Sequence, residues 1–160
     1  MKSFKHSNLP SWLESTLSQL AIKTPTPIQS AGLPVTLSGQ NLLANAMTGT
    51  GKTLLYLLPI MSSLYKNPTG VHSLIISPSR ELARSLEEQF SIFASKINCR
   101  VTVITGGQPV LSQFAELDKI PHIVICTPGR MADLIVRKPE SLKVSKGIEA
   151  SSKVAVVNIF

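Results

Sequence analysis

The chain has 160 residues, of which 43% are hydrophobic and 16% charged, and a formal net charge of +7 at pH 7. That length suits one domain with a proper core, and that composition excludes disorder. The basic balance favours polyanionic partners, nucleic acid first. No apolar run approaches the roughly 18 residues of a membrane span, and no signal-like core opens the chain, so an intracellular protein without a membrane partner is expected. Cys99 and Cys126 sit in β-branched apolar runs, where a thiol packs as a small hydrophobe. Neither they nor the scattered His6, His72 and His122 have metal-ligand or disulfide spacing.

In chain order, Leu13, Leu17 and Leu20 recur at helical spacing, with Ser11 as a candidate cap. Thr24-Pro25-Thr26-Pro27 interrupts, because neither proline donates a backbone hydrogen bond. A second helix is expected over 29–37, ending at Ser38-Gly39, and a strand over Leu42-Leu43-Ala44. Residues 54–64 read as a helix and 71–77 as a buried strand. Leu82, Leu86, Phe90 and Phe93 mark a helix over 80–97. Strands are expected at 99–105 and 122–126, helices at 110–117 and from Met131 to Val136, and one more strand begins at Val154. Strands alternating with helices argue for an α/β fold on a parallel sheet covered on both faces. Ligands bind such sheets at the carboxyl ends of the strands. The turns at 46–53, 77–83, 105–107 and 127–130 all follow expected strands and are therefore expected on one edge.

The most informative stretch is Ala46-Met47-Thr48-Gly49-Thr50-Gly51-Lys52-Thr53. A strand, a Gly-rich loop and a helix form the context of a phosphate-binding loop. The glycines let several N–H groups turn inward, and the helix adds its N-terminal partial charge. Lys52 then reaches the β- and γ-phosphates, and the Thr53 hydroxyl ligates Mg²⁺. The usual pattern begins with Gly, where this chain has Ala46.

Several further motifs in the same order resemble the first RecA-like domain of a DEAD-box RNA helicase, over about residues 4 to 136. Ala21 to Gln29 resembles the Q motif, whose glutamine reads the adenine edge. Phe4, 17 positions before Ala21, stands where the family places a supporting aromatic. Residues 46–53 match motif I. Pro78-Ser79-Arg80-Glu81-Leu82-Ala83 matches motif Ia, Gly106-Gly107 the GG element, and Thr127-Pro128-Gly129-Arg130 motif Ib. The resemblance implies ATP with Mg²⁺ at Phe4, Ile22, Thr24, Gln29, Thr48, Gly49, Thr50, Gly51, Lys52 and Thr53, with Thr53 on the metal. It implies RNA, gripped by its backbone without sequence preference, at Pro78, Arg80, Gly106, Gly107, Thr127, Pro128, Gly129 and Arg130. Asn67-Pro68-Thr69-Gly70 and Pro121-His122 resemble nucleolar members that help process small-subunit ribosomal RNA.

Two departures stand out. Isoleucine at 22 replaces the family's aromatic on the adenine face and loses π-stacking. The Asp-Glu-Ala-Asp box is expected after the strand at 154–157, where the sequence reads Asn158-Ile159-Phe160. The expected division is therefore a helical segment with the Q motif at 1–38, a RecA-like core at 39–138, and an atypical tail at 139–160, truncated before the box and without catalytic residues of its own. In the complete protein the function expected is ATP-coupled RNA unwinding or remodelling. The alternatives are a non-catalytic nucleotide- or RNA-binding fragment or isoform, and an unrelated P-loop enzyme, which leaves motifs Q, Ia and Ib unexplained.

Overall fold

The computed structural model describes residues 3–6, 8–68, 70–138 and, as backbone, 153–156. The chain divides into two compact units, residues 1–63 and 64–160.

The first unit is helical. A short 3-10 turn, Phe4–His6, precedes α1 (Ser11–Gln19) and α2 (Pro27–Leu37); α3 (Leu54–Lys66) begins here and runs into the second unit. Leu13 and Leu17 of α1 are buried, as the spacing requires, but Ser11 is the first helical residue and caps nothing; Pro10 is at the N-cap. The helix ends with Ala21 N–H bonded to Ser18 O and Ile22 N–H to Leu17 O, and Ala21 at φ 59°. That pair of bonds around one left-handed residue is a Schellman end, a position glycine normally fills. Helix α2 starts two residues earlier than the apolar spacing indicates. Thr26 is its N-cap, Pro27 sits at N1, and Gln29 closes a capping box.

The strand expected over 42–44 does not form. Residues 41–47 have no regular structure, and Leu43 is 98% exposed. A strand is a pairing, and no described strand pairs with this segment.

The second unit carries a parallel sheet of β1 (Ser73–Ile76), β2 (Val101–Ile104), β3 (Ile123–Cys126) and β4 (Lys153–Val156), in spatial order β2-β3-β1-β4. Ser73 and Val101 both align with Ile123, and Ser73 with Lys153, so the carboxyl ends are level. Between the strands run α4 (Arg80–Ala94), α5 (Val110–Asp118) and α6 (Pro128–Arg137). The chain moves outward from β1 to β2 and then reverses, so right-handed crossovers place α4 on one face and α5 and α6 on the other. Accordingly Val124 and Cys126 share a cluster with Leu117, Met131 and Leu134, while α4 packs on β2 and β3. All four residues of β3 are buried, which explains its uninterrupted apolar run. Burial pushes the Cys126 thiol up to about 11 and raises Cys99 as well, consistent with cysteines that pack rather than react. Among the described residues no helix is long and apolar enough to cross a membrane, and no cluster could hold a metal on His, Cys, Asp or Glu ligands.

Candidate functional site

Two groups of motif residues assemble, one in each unit. In the first unit Gly49 and Gly51 take φ of 80° and 88°, which lets the loop curl before α3. Its cation is turned inward: Lys52 Nζ donates to Ala46 O and, at 3.0 Å, to Met47 O. Thr50 Oγ1 donates to Met47 O at 2.7 Å. Thr53 is half-buried. Burial drives the Tyr56 phenol up to about 12, and the Thr53 hydroxyl nearby pulls the other way.

Gln29 is brought directly to this loop and is only 2% exposed. Its Oε1 accepts from Thr26 N–H at 2.9 Å, and its Nε2 donates to Gly51 O at 3.0 Å. Thr26 Oγ1 donates to Thr50 O at 2.8 Å. The Q-motif segment thus clamps two consecutive loop carbonyls. A Cβ on Gly51 would collide with Gln29 Nε2, so the glycine is needed for close approach as well as for its φ. Phe4 is buried at 4% exposure, Ile22 is half-buried, and Thr24 and Thr48 are exposed. Among the described residues neither Ile22 nor Thr24 is hydrogen-bonded to the loop. The donor set of an ammonium, a hydroxyl and glycine-rich backbone at a helix start suits a magnesium-bound polyphosphate.

In the second unit the three turns after β1, β2 and β3 meet at the carboxyl edge. Pro78, Arg80, Gly106, Thr127, Gly129 and Arg130 line one open cleft of about 690 Å³. Pro128 and the carboxylates Glu81 and Asp133 also line it. Asp133 is engaged by Arg137 Nε at 2.6 Å, which moderates its charge. Ser79 caps α4 by accepting from Leu82 N–H at 3.1 Å. The guanidinium of Arg80 lies over the glycine pair: a Cβ on Gly106 would sit 2.9 Å from its Nη2, and one on Gly107 2.7 Å from its Nη1. Helix α6 has proline in its first turn and no side-chain cap, so its first N–H groups face the cleft mouth unbonded by Thr127. Arg130 Nη1 donates to Gln108 O at 2.8 Å and to Gln113 Oε1 at 2.9 Å. Gln113, Gln108 and Asp133 escape motif reading, and Glu81 stands in motif Ia without an assigned role. For Gln113 there was a signal: Val110, Gln113, Phe114 and Leu117 are spaced as one helix face, and an amide is out of place there.

Neither Asp118 nor Asp133 stands at a strand end. Asp118 ends α5 and pairs with Lys138 at 3.4 Å, and Asp133 lies within α6. Asn158 and Ile159, where the box is expected, lie outside the described residues.

The sequence profile of the DEAD/DEAH box helicase family matches residues 26–154. The chain belongs to this family. Among curated relatives, the protein named ATP-dependent RNA helicase DBP8 of Debaryomyces hansenii is 40% identical over 138 residues, 86% of this chain and 31% of that protein. Its namesake in Schizosaccharomyces pombe is 42% identical over 84% of this chain and 30% of its own length. The human protein named probable ATP-dependent RNA helicase DDX49 is 41% identical over 83% and 28%. The chain thus spans about 30% of the length of these relatives. Among solved structures, a hypothetical ATP-dependent RNA helicase from Sulfolobus tokodaii superposes with a TM-score of 0.67 at 25% identity, over 90% of this chain and 48% of that one. The α/β, RecA-like helicase fold implied by the motif resemblance is borne out by this neighbour.

Proposed function

We propose that this chain is the ATP- and RNA-binding part of an ATP-dependent RNA helicase, whose complete protein remodels RNA at the expense of ATP. The observation that carries the reading is the cleft at the carboxyl edge of the sheet, where motifs Ia, GG and Ib converge from three separate turns. Two arginines and an uncapped helix start suit phosphates, and no described lining residue is a base-stacking aromatic, so the grip is on the sugar-phosphate backbone.

On the nucleotide side Lys52 takes the β- and γ-phosphates, and Thr53 binds Mg²⁺. Gln29 reads adenine with the remaining N–H and lone pair of its amide, the others being held by Gly51 and Thr26. The nucleolar, ribosomal-RNA-processing role rests on the resemblance carried by residues 67–70 and 121–122.

For the 160-residue polypeptide alone, binding without turnover is the fitting behaviour. Phosphoryl transfer needs an oriented water and a neutralised developing charge. Asn158 and Ile159 carry no carboxylate, and Asp118 and Asp133 are bound elsewhere. RNA-stimulated phosphate release, with Lys52→Ala as the blank, tests this. Turnover that depends on both RNA and Lys52 would refute it. Titration of a labelled single-stranded RNA at rising salt tests the cleft: affinity falls through counterion release, and salt-independent binding would remove the RNA reading.

A further inference from the structure

Helix α5 buries an amide where its spacing calls for an apolar side chain. Gln113 is 4% exposed on the face that also carries Val110, Phe114 and Leu117. A buried amide is costly unless both its ends are bonded, and here both are. Nε2 donates to Thr105 O at 2.8 Å, the carbonyl immediately before the glycine pair, and Oε1 accepts from Arg130 Nη1 at 2.9 Å. The amide orientation is fixed by its partners, since the flipped form would set N–H against guanidinium and oxygen against carbonyl. Gln108 O takes the other bond to the same Nη1 at 2.8 Å. Both protons of Nη1 are thereby used, one on the turn that leads into α5 and one on α5 itself. Among the described residues the Nε–H and the two Nη2–H groups of Arg130 have no partner, and Arg130 lines the cleft.

We infer that Gln113 is a positioning residue for RNA binding: it holds one nitrogen of the Arg130 guanidinium so that the other two present a fixed fork to a phosphate. The inference deepens the RNA reading of the cleft and rests on it. A planar fork recognises phosphate in a defined orientation, and a fork held beforehand loses less freedom on binding. Gln113 never touches the RNA. It ties the motif Ib arginine to the carbonyl that precedes the GG turn, so two motifs distant in sequence keep one relative placement.

The test is a double-mutant cycle on the full 160-residue chain, read by fluorescence anisotropy of a labelled single-stranded oligoribonucleotide, with thermal melts alongside. Gln113→Met keeps the volume and removes both bonds; it is expected to weaken RNA binding about fivefold, the scale of one lost hydrogen bond. In an Arg130→Met background it is expected to change RNA affinity no further, because its effect runs through Arg130. Gln113→Glu is isosteric and covers the case in which the methionine variant melts early. Its carboxylate neutralises Arg130, so the slope of log affinity against log salt falls by about one. A purely packing role would leave that slope unchanged. Gln113→Met with unaltered RNA affinity, additive effects of the two methionine variants, or an unchanged salt slope in Gln113→Glu would each overturn the inference while leaving the cleft. No salt-dependent RNA binding by the unmodified chain would overturn the cleft reading and the inference with it.

Discussion

Gly106→Ala is the cleanest probe of how the cleft holds Arg80. A Cβ at 106 would lie 2.9 Å from Arg80 Nη2 and 3.3 Å from both Cζ and Nε. The group in the way is the end of a flexible side chain, so the methyl displaces the guanidinium rather than the backbone. Gly106 does not share the left-handed φ of its neighbour, so alanine costs no backbone strain and gains about 0.4–1 kcal/mol through the unfolded state. Melting temperature should therefore hold or rise slightly. RNA affinity should fall: a charge-assisted hydrogen bond contributes about 1.5–3 kcal/mol, and a misplaced but still nearby arginine forfeits part of it, about fivefold in affinity. Arg80→Ala should lose more, and Gly106→Ala added to it should lose nothing further. Gly107→Ala is the contrast. Its φ of 85° makes alanine strained by about 1–2 kcal/mol, so this variant should lower the melting temperature by about 2–6 °C as well as the affinity. The assay is anisotropy of a labelled oligoribonucleotide with melts of each variant. Unmodified affinity in Gly106→Ala, with affinity lost in Arg80→Ala, would show that the placement of the guanidinium over the glycine pair is irrelevant to RNA.

Other perturbations probe the rest of the chain. Lys52→Ala should abolish ADP binding in calorimetry without lowering the melting temperature, since the ammonium only bridges loop carbonyls; undiminished binding would move the phosphate site elsewhere. Gln29→Ala removes a capping box and the clamp on Gly51, so it should cost about 1–2 kcal/mol in stability and erode preference for ADP over GDP; equal affinities in the unmodified chain would refute the adenine assignment. Ala21→Gly should stabilise by up to about 1 kcal/mol, because relief of the left-handed backbone exceeds the added freedom of the unfolded chain; a lowered melting temperature would refute the Schellman end. Burial, and then the Arg100 charge, hold the His122 imidazole below its usual value, and Nδ1 accepts Arg100 N–H at 3.0 Å. A depressed folded value means that this contribution to stability is complete above about pH 6.5 and is lost as pH falls through the folded value. His122→Asn, which keeps an acceptor without titrating, should flatten that acid limb in pH-dependent melts; an unchanged limb would assign it to other groups.

Most of the second unit was legible because β3 is buried on both faces, β1 and β2 alternate buried with half-buried residues, and its helices are buried on one face. An apolar run bounded by turns then has one reading, as at 123–126, and helical spacing has one reading, as at 80–94. The failure at 42–44 has the same composition and a different surrounding. Nothing pairs with it among the described strands, so Leu43 stands 98% exposed, and composition cannot report a missing neighbour. The motif residues were legible as a set, but their internal bonds were not. That Gln29 would clamp Gly51, or that Gln113 would face Arg130, depends on separations of 22 and 17 residues, which no local pattern encodes. Gly51 and Gly107 illustrate the limit: turn chemistry predicts their φ, whereas the close approach of Gln29 and Arg80 emerges only from the fold.

The two groups of site residues differ in what they must give up to bind. In the phosphate loop Lys52 already holds Ala46 O and Met47 O, and Thr50 already holds Met47 O. Nucleotide binding there is an exchange of bonds, and its net gain per hydrogen bond is about 0.5–1.5 kcal/mol, not the full strength of the new contact. In the cleft, Arg130 is fixed through Nη1 while Nε and Nη2 have no partner among the described residues, and α6 begins without a side-chain cap. RNA adds bonds there without breaking any, so its cost in rearrangement is small. The contrast is visible by chemical-shift mapping. ADP with Mg²⁺ should shift the amides of 46–53 as a block, as the loop releases its lysine. RNA should shift the amides of Gly129 and Arg130 and leave the side-chain amide resonances of Gln113 in place. A large RNA-induced movement of those Gln113 resonances would mean that the guanidinium lets go of its tether on binding, and that the cleft is rebuilt by RNA rather than built in advance.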